Sequence, residues 1–274
     1  MEPRSIALLD SSKGAFFKLK LRKGNCVSSD QIEVEPRHCR PLEGLFSLQE
    51  DFFDLEGGDN MLHYAAEILP SLLSGAWMTV RIFFWTLIVS IPLGIFVSLG
   101  LMSKFSPLRW ILKFYVWLMR GTPLLLQLIF VFYGLPIIGV IFQRYDAALF
   151  AFILNYTAYF SEIFRGGFQA IPKGQYESAR VLRLTRGQTL RRIVIPQVVK
   201  IVVPSIGNEV INLIKDSSLV YVIGLGDLLR AGNIATARDV TLLPLVLVGV
   251  IYLLMTAVAT FILRKVEQHY RTWR

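Results

Sequence analysis

The feature that most constrains this chain is a series of long, nearly uncharged apolar stretches. The first runs from Leu72 to Met102, with Arg81 as its only charged residue. A helix needs about 20 apolar residues to cross the hydrocarbon core of a bilayer, so this stretch is long enough. The whole chain is 54% hydrophobic with a mean hydropathy of +0.51, more apolar than a soluble domain with an ordinary charged surface. The sequence therefore predicts a protein embedded in lipid.

Further apolar stretches bring the number of predicted transmembrane helices to about five. Leu108–Ile141 is longer than one crossing needs and is interrupted at Gly121, Thr122 and Pro123, where proline removes a backbone donor. We predict an interfacial segment followed by the second span there. The remaining spans are predicted at Ala147–Phe168, Ile201–Gly224 and Val240–Leu263. The expected fold class is all-α, a polytopic membrane protein.

The distribution of basic residues predicts the orientation of these helices. The connections after the first span, between the third and fourth, and after the fifth together hold 14 Lys and Arg residues. The two opposite connections hold only Arg144, Arg230 and Arg238. Because short cytoplasmic segments are enriched in Lys and Arg, we expect the N-terminus outside and the C-terminus in the cytoplasm. This topology accounts for the basic balance, so no nucleic-acid partner is expected.

Residues 1–60 differ in composition from the remainder of the chain. They contain 8 basic and 11 acidic residues, whereas residues 61–274 contain 21 basic and 9 acidic residues. Both cysteines, Cys26 and Cys39, lie in the first part, at a separation that matches no zinc or redox motif. We predict an N-terminal extension or linker at 1–60 and a transmembrane domain at 61–274. The extension is either a soluble segment or is not translated, with synthesis starting at or near Met61.

A cytoplasmic loop at residues 171–200 contains signals for two short helices. Good helix formers follow Pro172, and Thr185 stands three residues before Gln188 in a capping-box pattern. Pro196 is expected to limit the second helix. Tyr176, Ala179 and Leu182 fall on one side of the first helix, which gives an apolar face that can pack into a groove of another protein. The alternative is a solvated basic loop without a partner.

Several segments, in order along the chain, resemble permease subunits of bacterial ABC importers of polar amino acids. The run Tyr176-Glu177-Ser178-Ala179, followed by Ile193-Val194-Ile195-Pro196, resembles the Glu-Ala-Ala loop by which these permeases couple to their ATPases. The other matching segments are Arg120 to Leu125, Ala158 to Gly167, Ile171 to Gln175 and Lys215 to Leu219. The resemblance extends from about Leu69 to the C-terminus, which favours synthesis from near Met61.

This resemblance implies roles for residues of the cytoplasmic loop. The implied ATPase-coupling residues are Tyr176, Glu177, Ala179, Leu182, Arg183, Ile193 and Pro196. The loop departs from the family pattern at Ser178, where the family has alanine, and at Arg183, where it has glycine. A glycine after a short helix supplies a left-handed residue, and a side chain there costs on the order of 1 kcal/mol. Either Arg183 adopts the strained conformation or the loop turns differently.

The resemblance also implies the function and the partners. The chain is expected to be the membrane-spanning permease of an importer of polar amino acids in the cytoplasmic membrane, driven by ATP hydrolysis in separate ATP-binding cassette subunits. The other expected partners are a second permease, identical or related, an extracytoplasmic amino-acid-binding protein and membrane lipid. No glycine-rich phosphate loop occurs in the sequence, so ATP is expected to bind the partner subunit. We expect this chain to carry no catalytic residue, metal or cofactor.

Polar residues recur at helical spacing in the third and fourth predicted spans, where charged side chains are expensive unless they face a bundle interior or a water-filled cavity. We predict that these two faces line the substrate path. The alternative is that they hold helices together, with Glu162 pairing Arg165 and Lys215 pairing an acidic neighbour. The candidate path residues are Asn155, Tyr159, Glu162, Arg165, Asn208, Glu209, Asn212, Lys215 and Asp216.

A second functional class remains open at this point. A secondary transporter or channel driven by an ion gradient could use Glu162, Glu209 or Asp216 as a proton or cation site. Five spans without an internal repeat count against it. A scaffold protein without transport activity would leave both polar faces unexplained.

Overall fold

The computed structural model describes the backbone of residues 5–10, 15–22, 25–28 and 58–271, and the side chains of residues 63–270. The chain divides into two compact units, Met1–Tyr64 and Ala65–Arg274. In the first unit, the strands β1 (Ser5–Asp10), β2 (Ala15–Arg22) and β3 (Asn25–Ser28) form an antiparallel sheet in the order β1-β2-β3. This sheet was not expected for the extension. Cys39 and most of the linker predicted before Met61 lie outside the described residues.

The second unit is helical throughout its regular elements. In chain order, the α-helices are α1 (Gly58–Leu101), α2 (Ser106–Gly121), α3 (Leu124–Ile129), α4 (Arg144–Gln169), α5 (Lys173–Val181), α6 (Arg186–Thr189), α7 (Ile195–Asp216), α8 (Leu228–Asp239) and α9 (Leu243–Arg271). A π turn at Phe130–Gly134 and a 3-10 turn at Leu135–Ile138 extend α3, a π turn at Leu190–Val194 joins α6 to α7, and a 3-10 turn at Ser217–Ile223 extends α7.

Four helical segments are long and apolar enough to cross a membrane, and a bent pair brings the number to five. The four are His63–Leu101, Arg144–Gln169, Arg186–Ile223 and Leu243–Tyr270. The bent pair, Ser106–Gly121 with Leu124–Ile138, turns by 105° at the break that Gly121, Thr122 and Pro123 were predicted to cause. The predicted fold class, an all-α polytopic membrane protein with about five spans, is confirmed.

Side chains satisfy the backbone groups that the break in the bent pair leaves open. The last carbonyls of α2 have no helical partner, and lipid offers none. Gln127 donates to the carbonyl oxygen of Met119 at 2.9 Å and to the hydroxyl of Thr122 at 2.7 Å. Asn155 of α4 donates to the same Met119 oxygen at 3.0 Å and to Gln127 Oε1 at 3.0 Å. Hydrogen bonds therefore connect the two halves of the bend to each other and connect the bend to α4.

Helix α4 forms the centre of the second unit. Its side chains Phe152, Tyr156 and Phe160 are at most 2% exposed. Helix α1 approaches it closely at Gly94, where an added Cβ would lie 2.7 Å from Cβ of Phe160. Small residues allow such backbone contact between membrane helices, where dispersion rather than water exclusion drives packing. The core of the unit is thus the contact of α1, α3 and α7 with α4.

Candidate functional site

The bend between α2 and α3 forms one wall of a cavity of about 560 Å³. Residues Arg120 to Leu125 of the bend face α4 and α7 across it. The polar side chains that α4 and α7 contribute are Asn155, Tyr156, Tyr159, Glu209, Asn212 and Asp216. The cavity is therefore lined by one guanidinium, two carboxyl groups, two amides and two phenols.

Five of the nine candidate path residues line this cavity: Asn155, Tyr159, Glu209, Asn212 and Asp216. Asn155 is 4% exposed, and its amide nitrogen donates the two bonds that connect α4 to the bend. Its side chain therefore has a structural role in addition to lining the cavity. Asn208 and Lys215 are exposed and do not line the cavity. Among the ion pairs between residues 63–270, none joins Lys215 to Glu209 or Asp216, in contrast to the pairing considered from the sequence.

Glu162 and Arg165, the remaining candidate path residues, lie toward the loop end of α4. Arg165 donates to both carboxylate oxygens of Glu162, at 2.9 and 2.6 Å, which is the pair considered from the sequence, and it lies within one helix. Its remaining terminal nitrogen donates to Gln169 at 2.8 Å. Both residues border a second cavity of about 580 Å³, together with Arg109, Lys113 and Gln169. That cavity is mainly basic.

Tyr156 and Arg120 line the cavity but were not among the candidate path residues. Tyr156 donates its hydroxyl to Asp216 Oδ2 at 2.7 Å and so ties α4 to the end of α7. Arg120 places its guanidinium 5.2 Å from the ring centre of Tyr159 and 3.6 Å from Glu162 Oε2. A charge directly before a Gly-x-Pro break was a usable signal for Arg120. Nothing in the spacing singled out Tyr156, because its partner lies on another helix.

The loop at residues 171–200 contains the first predicted helix, α5, after Pro172. Arg183 adopts a left-handed backbone with φ of 54°, so it takes the strained conformation that the family glycine would adopt freely. The amide of Arg183 bonds the carbonyl of Arg180 at 2.9 Å, and that of Leu184 bonds the carbonyl of Ala179 at 3.0 Å. This bond pair is the Schellman motif that ends many helices.

The second part of the loop differs from the expectation at Pro196. The capping box of Thr185 and Gln188 is present, with both reciprocal bonds. However, Pro196 does not end the helix, because a π turn at Leu190–Val194 precedes it and α7 continues from Ile195. The wider turn accommodates the proline ring and its missing N–H. The second loop helix therefore merges with the fourth span.

The apolar face of α5 is only partly available to another protein. Ala179 is 1% exposed and packs within this chain, whereas Leu182 is 69% exposed and Tyr176 is at the border of exposure. Val181, which the sequence did not single out, is 83% exposed. Glu177 is exposed beside them, Ile193 is half-buried and Pro196 is exposed.

A carboxyl group is buried at the opposite end of the bundle. Asp227 is fully buried and accepts bonds from the amides of Leu229 at 3.0 Å and Arg230 at 3.3 Å, which caps α8. Gly75 of α1 packs directly on the Asp227 backbone, and Thr79 accepts a bond from the Leu228 amide at 3.3 Å. Burial raises the pKa of Asp227 to about 6, against the lowering effect of the two amides. Among the described residues, no three His, Cys, Asp or Glu side chains are grouped to hold a metal ion.

Comparisons with known proteins agree with this architecture. The chain is 41% identical over 211 residues to the arginine transport system permease protein ArtQ of Bacillus subtilis, covering 76% of this chain and 96% of that protein. It is 37% identical to the probable amino-acid ABC transporter permease protein YckA of the same species, over 75% and 93% of the two chains. A crystal structure of an amino acid ABC transporter with histidines matches with a TM-score of 0.71 and 33% identity, over 75% of this chain and 97% of that chain.

A family model matches residues 90–272, which include the bend, both polar helical faces and the loop at residues 171–200. The family's members are inner membrane components of transport systems, so this chain is a transport subunit whose apolar helices span the membrane. The chain belongs to the family of binding-protein-dependent transport system inner membrane components.

Proposed function

We propose that this chain is the permease subunit through which polar amino acids cross the cytoplasmic membrane, driven by ATP hydrolysis in a separate subunit. The observation that carries the proposal is the cavity at the bend, where Arg120 lies opposite Glu209 and Asp216. An amino-acid zwitterion needs donors for its carboxylate and acceptors for its ammonium group, and this cavity supplies both. Similarity to ArtQ and YckA supports the same substrate class.

The charges of the cavity favour an amino acid with a cationic side chain. One carboxyl group is sufficient for the α-ammonium group, which leaves the second for a further positive charge. Asp216 receives the hydroxyl of Tyr156 at 2.7 Å, so its position is fixed before a substrate arrives. Preorganised partners avoid the ordering cost of binding. The printed name of ArtQ, an arginine permease, is consistent with this preference.

We infer that ATP is hydrolysed by a partner subunit that binds the loop at residues 171–200. The cytoplasmic loop presents Val181 and Leu182 to its surroundings, and exposed apolar side chains on a helix suit a groove in a partner. We assign this surface to the ATP-binding cassette ATPase. The enrichment of Lys and Arg in the same loop supports a cytoplasmic location, with the N-terminus outside and the C-terminus inside.

Two further partners follow from the family description. Dependence on a binding protein implies an extracytoplasmic protein that delivers the amino acid to the outer side. A second permease, a copy or a relative, would enclose the cavity, because a bundle of about five spans surrounds little space alone.

An ion-gradient transporter is the alternative function. It would require carboxyl groups free to exchange protons or cations within the membrane. Glu162 accepts hydrogen bonds from Nε and one terminal nitrogen of Arg165, and a terminal nitrogen of Arg120 lies 3.6 Å from its Oε2. This pairing argues against Glu162 as an ion site and leaves Glu209 and Asp216 for the alternative.

The test is uptake of radiolabelled arginine by proteoliposomes that contain the permease, its ATPase and its binding protein. Glu209→Gln and Asn212→Leu alter the cavity and are expected to lower the uptake rate at least tenfold, because each removes a polar partner of the substrate. Asn208→Leu is the matched control, since Asn208 lies on the same helix but is exposed outside the cavity. Equal loss in all three variants, or uptake that persists without ATP, would contradict the proposal.

A further inference from the structure

Arg120 lies between the carboxylate of Glu162 and the cavity at the bend, where the carboxylate of a substrate is expected. Its side chain is 44% exposed and lines the cavity at the bend, and its guanidinium lies 3.6 Å from Glu162 Oε2. A third cavity, of about 420 Å³, is bordered by Arg120, Tyr159 and Glu162 and lies beside the first, because Arg120 and Tyr159 line both. A small movement of one side chain thus transfers the positive charge from Glu162 to the substrate cavity.

Breaking the ion pair between Arg120 and Glu162 does not leave the Glu162 carboxylate without a cationic partner. Glu162 receives two bonds from Arg165, at 2.9 and 2.6 Å, whereas its approach to Arg120 is 1 Å longer than the shorter of these bonds (3.6 against 2.6 Å). Removing the sole partner of a buried charge is expensive, but removing a second partner is not. Arg120 is therefore the exchangeable partner of Glu162, and Arg165 is the permanent one.

The backbone around Arg120 gives the side chain a fixed pivot. Met119, its neighbour in the chain, accepts bonds from Gln127 and Asn155, and Thr122 donates to the Leu118 carbonyl at 2.8 Å. The exchange therefore needs only side-chain rotation, which is fast and inexpensive compared with helix movement.

The link from Glu162 continues toward the cytoplasmic loop. Arg165 also donates to Gln169, the last residue of α4, which precedes the loop that contains α5. Both contacts of Arg120, with the Tyr159 ring and with Glu162, join the end of α2 to α4. When Arg120 leaves them, α2 and α4 lose their ion pair on the side of the cavity that faces the loop.

We propose that Arg120 is a carboxylate-exchange latch: it pairs with Glu162 when the cavity is empty and with the α-carboxylate of an amino acid when the cavity is filled. The proposal rests on the proposed function, because it assigns one end of the transported amino acid to Arg120. Glu162 competes with the substrate for the same guanidinium. Binding of the carboxylate thereby breaks the ion pair between α2 and α4, while the Asn155–Met119 bond keeps the two helices in contact.

The test measures binding of L-arginine and of L-argininamide, which lacks the carboxylate, to the purified permease–ATPase complex. Arg120→Gln is expected to weaken L-arginine binding roughly 10- to 150-fold, the equivalent of one charge-assisted hydrogen-bonded pair. Glu162→Gln is expected to tighten L-arginine binding roughly two- to tenfold, because the internal competitor is gone. Neither variant is expected to change the affinity for L-argininamide. Glu67→Gln, at an exposed position of α1, is the control and leaves both affinities unchanged.

The outcomes separate the two proposals. A wild-type complex that binds neither L-arginine nor another amino acid of a panel overturns the proposed function and the latch together. Binding of L-arginine that Glu162→Gln weakens or leaves unchanged overturns the latch alone. If Glu162→Gln does not fold, as judged by gel filtration, the decision falls to Arg120→Lys and Arg120→Gln. Equal losses for L-arginine and L-argininamide in those variants then overturn the latch, and a loss confined to L-arginine supports it.

Discussion

Helices α4 and α9 both cross the membrane, but the less apolar of the two is the more deeply buried within the chain. The most apolar window of α4 has a mean hydropathy of 1.3 and is 61% buried within the chain, whereas that of α9 has a mean hydropathy of 2.6 and is 6% buried. In a soluble protein, the more apolar helix would be the more buried one. Here lipid is the apolar solvent, so the most hydrophobic span lies at the periphery of the chain.

The two helices also differ in how they are held. Helix α4 contacts protein on several sides, through Phe152 and Phe160 in the core and through Tyr156 at the cavity. Helix α9 is attached along a narrow strip that includes Val248, which is 3% exposed and packs so closely on Gly232 of α8 that a side chain there would collide with it. Because lipid replaces protein contacts at little cost, substitutions on α9 outside this strip should matter little.

The largest expected effect tests this difference with one pair of matched substitutions. Phe160→Ala on α4 removes a side chain with no exposed surface and is expected to destabilise the fold by about 3–5 kcal/mol. Phe261→Ala on α9 removes a side chain that is 60% exposed and is expected to change stability by less than about 0.5 kcal/mol. The measurement is unfolding of the full chain in mixed detergent and SDS micelles. Similar losses would mean that another protein, rather than lipid, covers this face of α9 under these conditions.

A smaller, pH-dependent effect is expected where α8 joins the bundle. Burial raises the pKa of Asp227 from its ordinary value of 3.8 to about 6, so folding favours the protonated carboxyl group. The stabilisation that accompanies this shift is complete below about pH 4 and is lost as pH rises through 6, by up to about 3 kcal/mol. Asp227→Asn retains a side-chain cap for α8 and cannot ionise, so its stability should lack this loss between pH 4 and 7.

The control for this pH effect is Asp146→Asn, at an exposed position in the first turn of α4. Its unfolding midpoint in detergent is expected to follow that of the wild type at each pH. If the wild type and Asp227→Asn also show parallel curves, Asp227 is not responsible for the pH dependence.

The sequence predicted the transmembrane helices better than it predicted which side chains meet between them. Hydropathy identified the spans because α4 and α9 both exceed the length of the hydrocarbon core. Pro123 identified the bend through its missing donor, and Thr185 with Gln188 identified a capping box, because these effects act within a few residues. Each of these is a local property of the chain.

The polar face of α7 shows why spacing alone did not define the cavity. Successive residues of a helix are about 100° apart around its axis, which places Glu209, Asn212 and Asp216 within one arc. Asn208 and Lys215 lie roughly 80° around the axis from the middle of that arc. Spacings of three and four residues cannot separate these two groups, and the structure places only the first at the cavity. The pairs of Arg120 with Glu162 and of Tyr156 with Asp216 depend on how different helices pack, which no local pattern contains.

The smallest expected effect lies outside the membrane, where backbone conformation rather than the surrounding solvent should decide stability. Arg183 holds a φ of 54° at the end of α5, a conformation that costs a residue with a Cβ about 1 kcal/mol relative to glycine. Arg183→Gly is therefore expected to raise stability by roughly 1 kcal/mol while preserving both bonds that end the helix.

Arg183→Ala is the control, because it removes the charge and retains the Cβ. If alanine stabilises the chain as much as glycine, the strain is electrostatic and comes from the neighbouring arginines Arg180 and Arg186. If glycine alone stabilises it, the backbone is the cause, and Val240→Gly, at another left-handed position with φ of 50°, should give a similar gain.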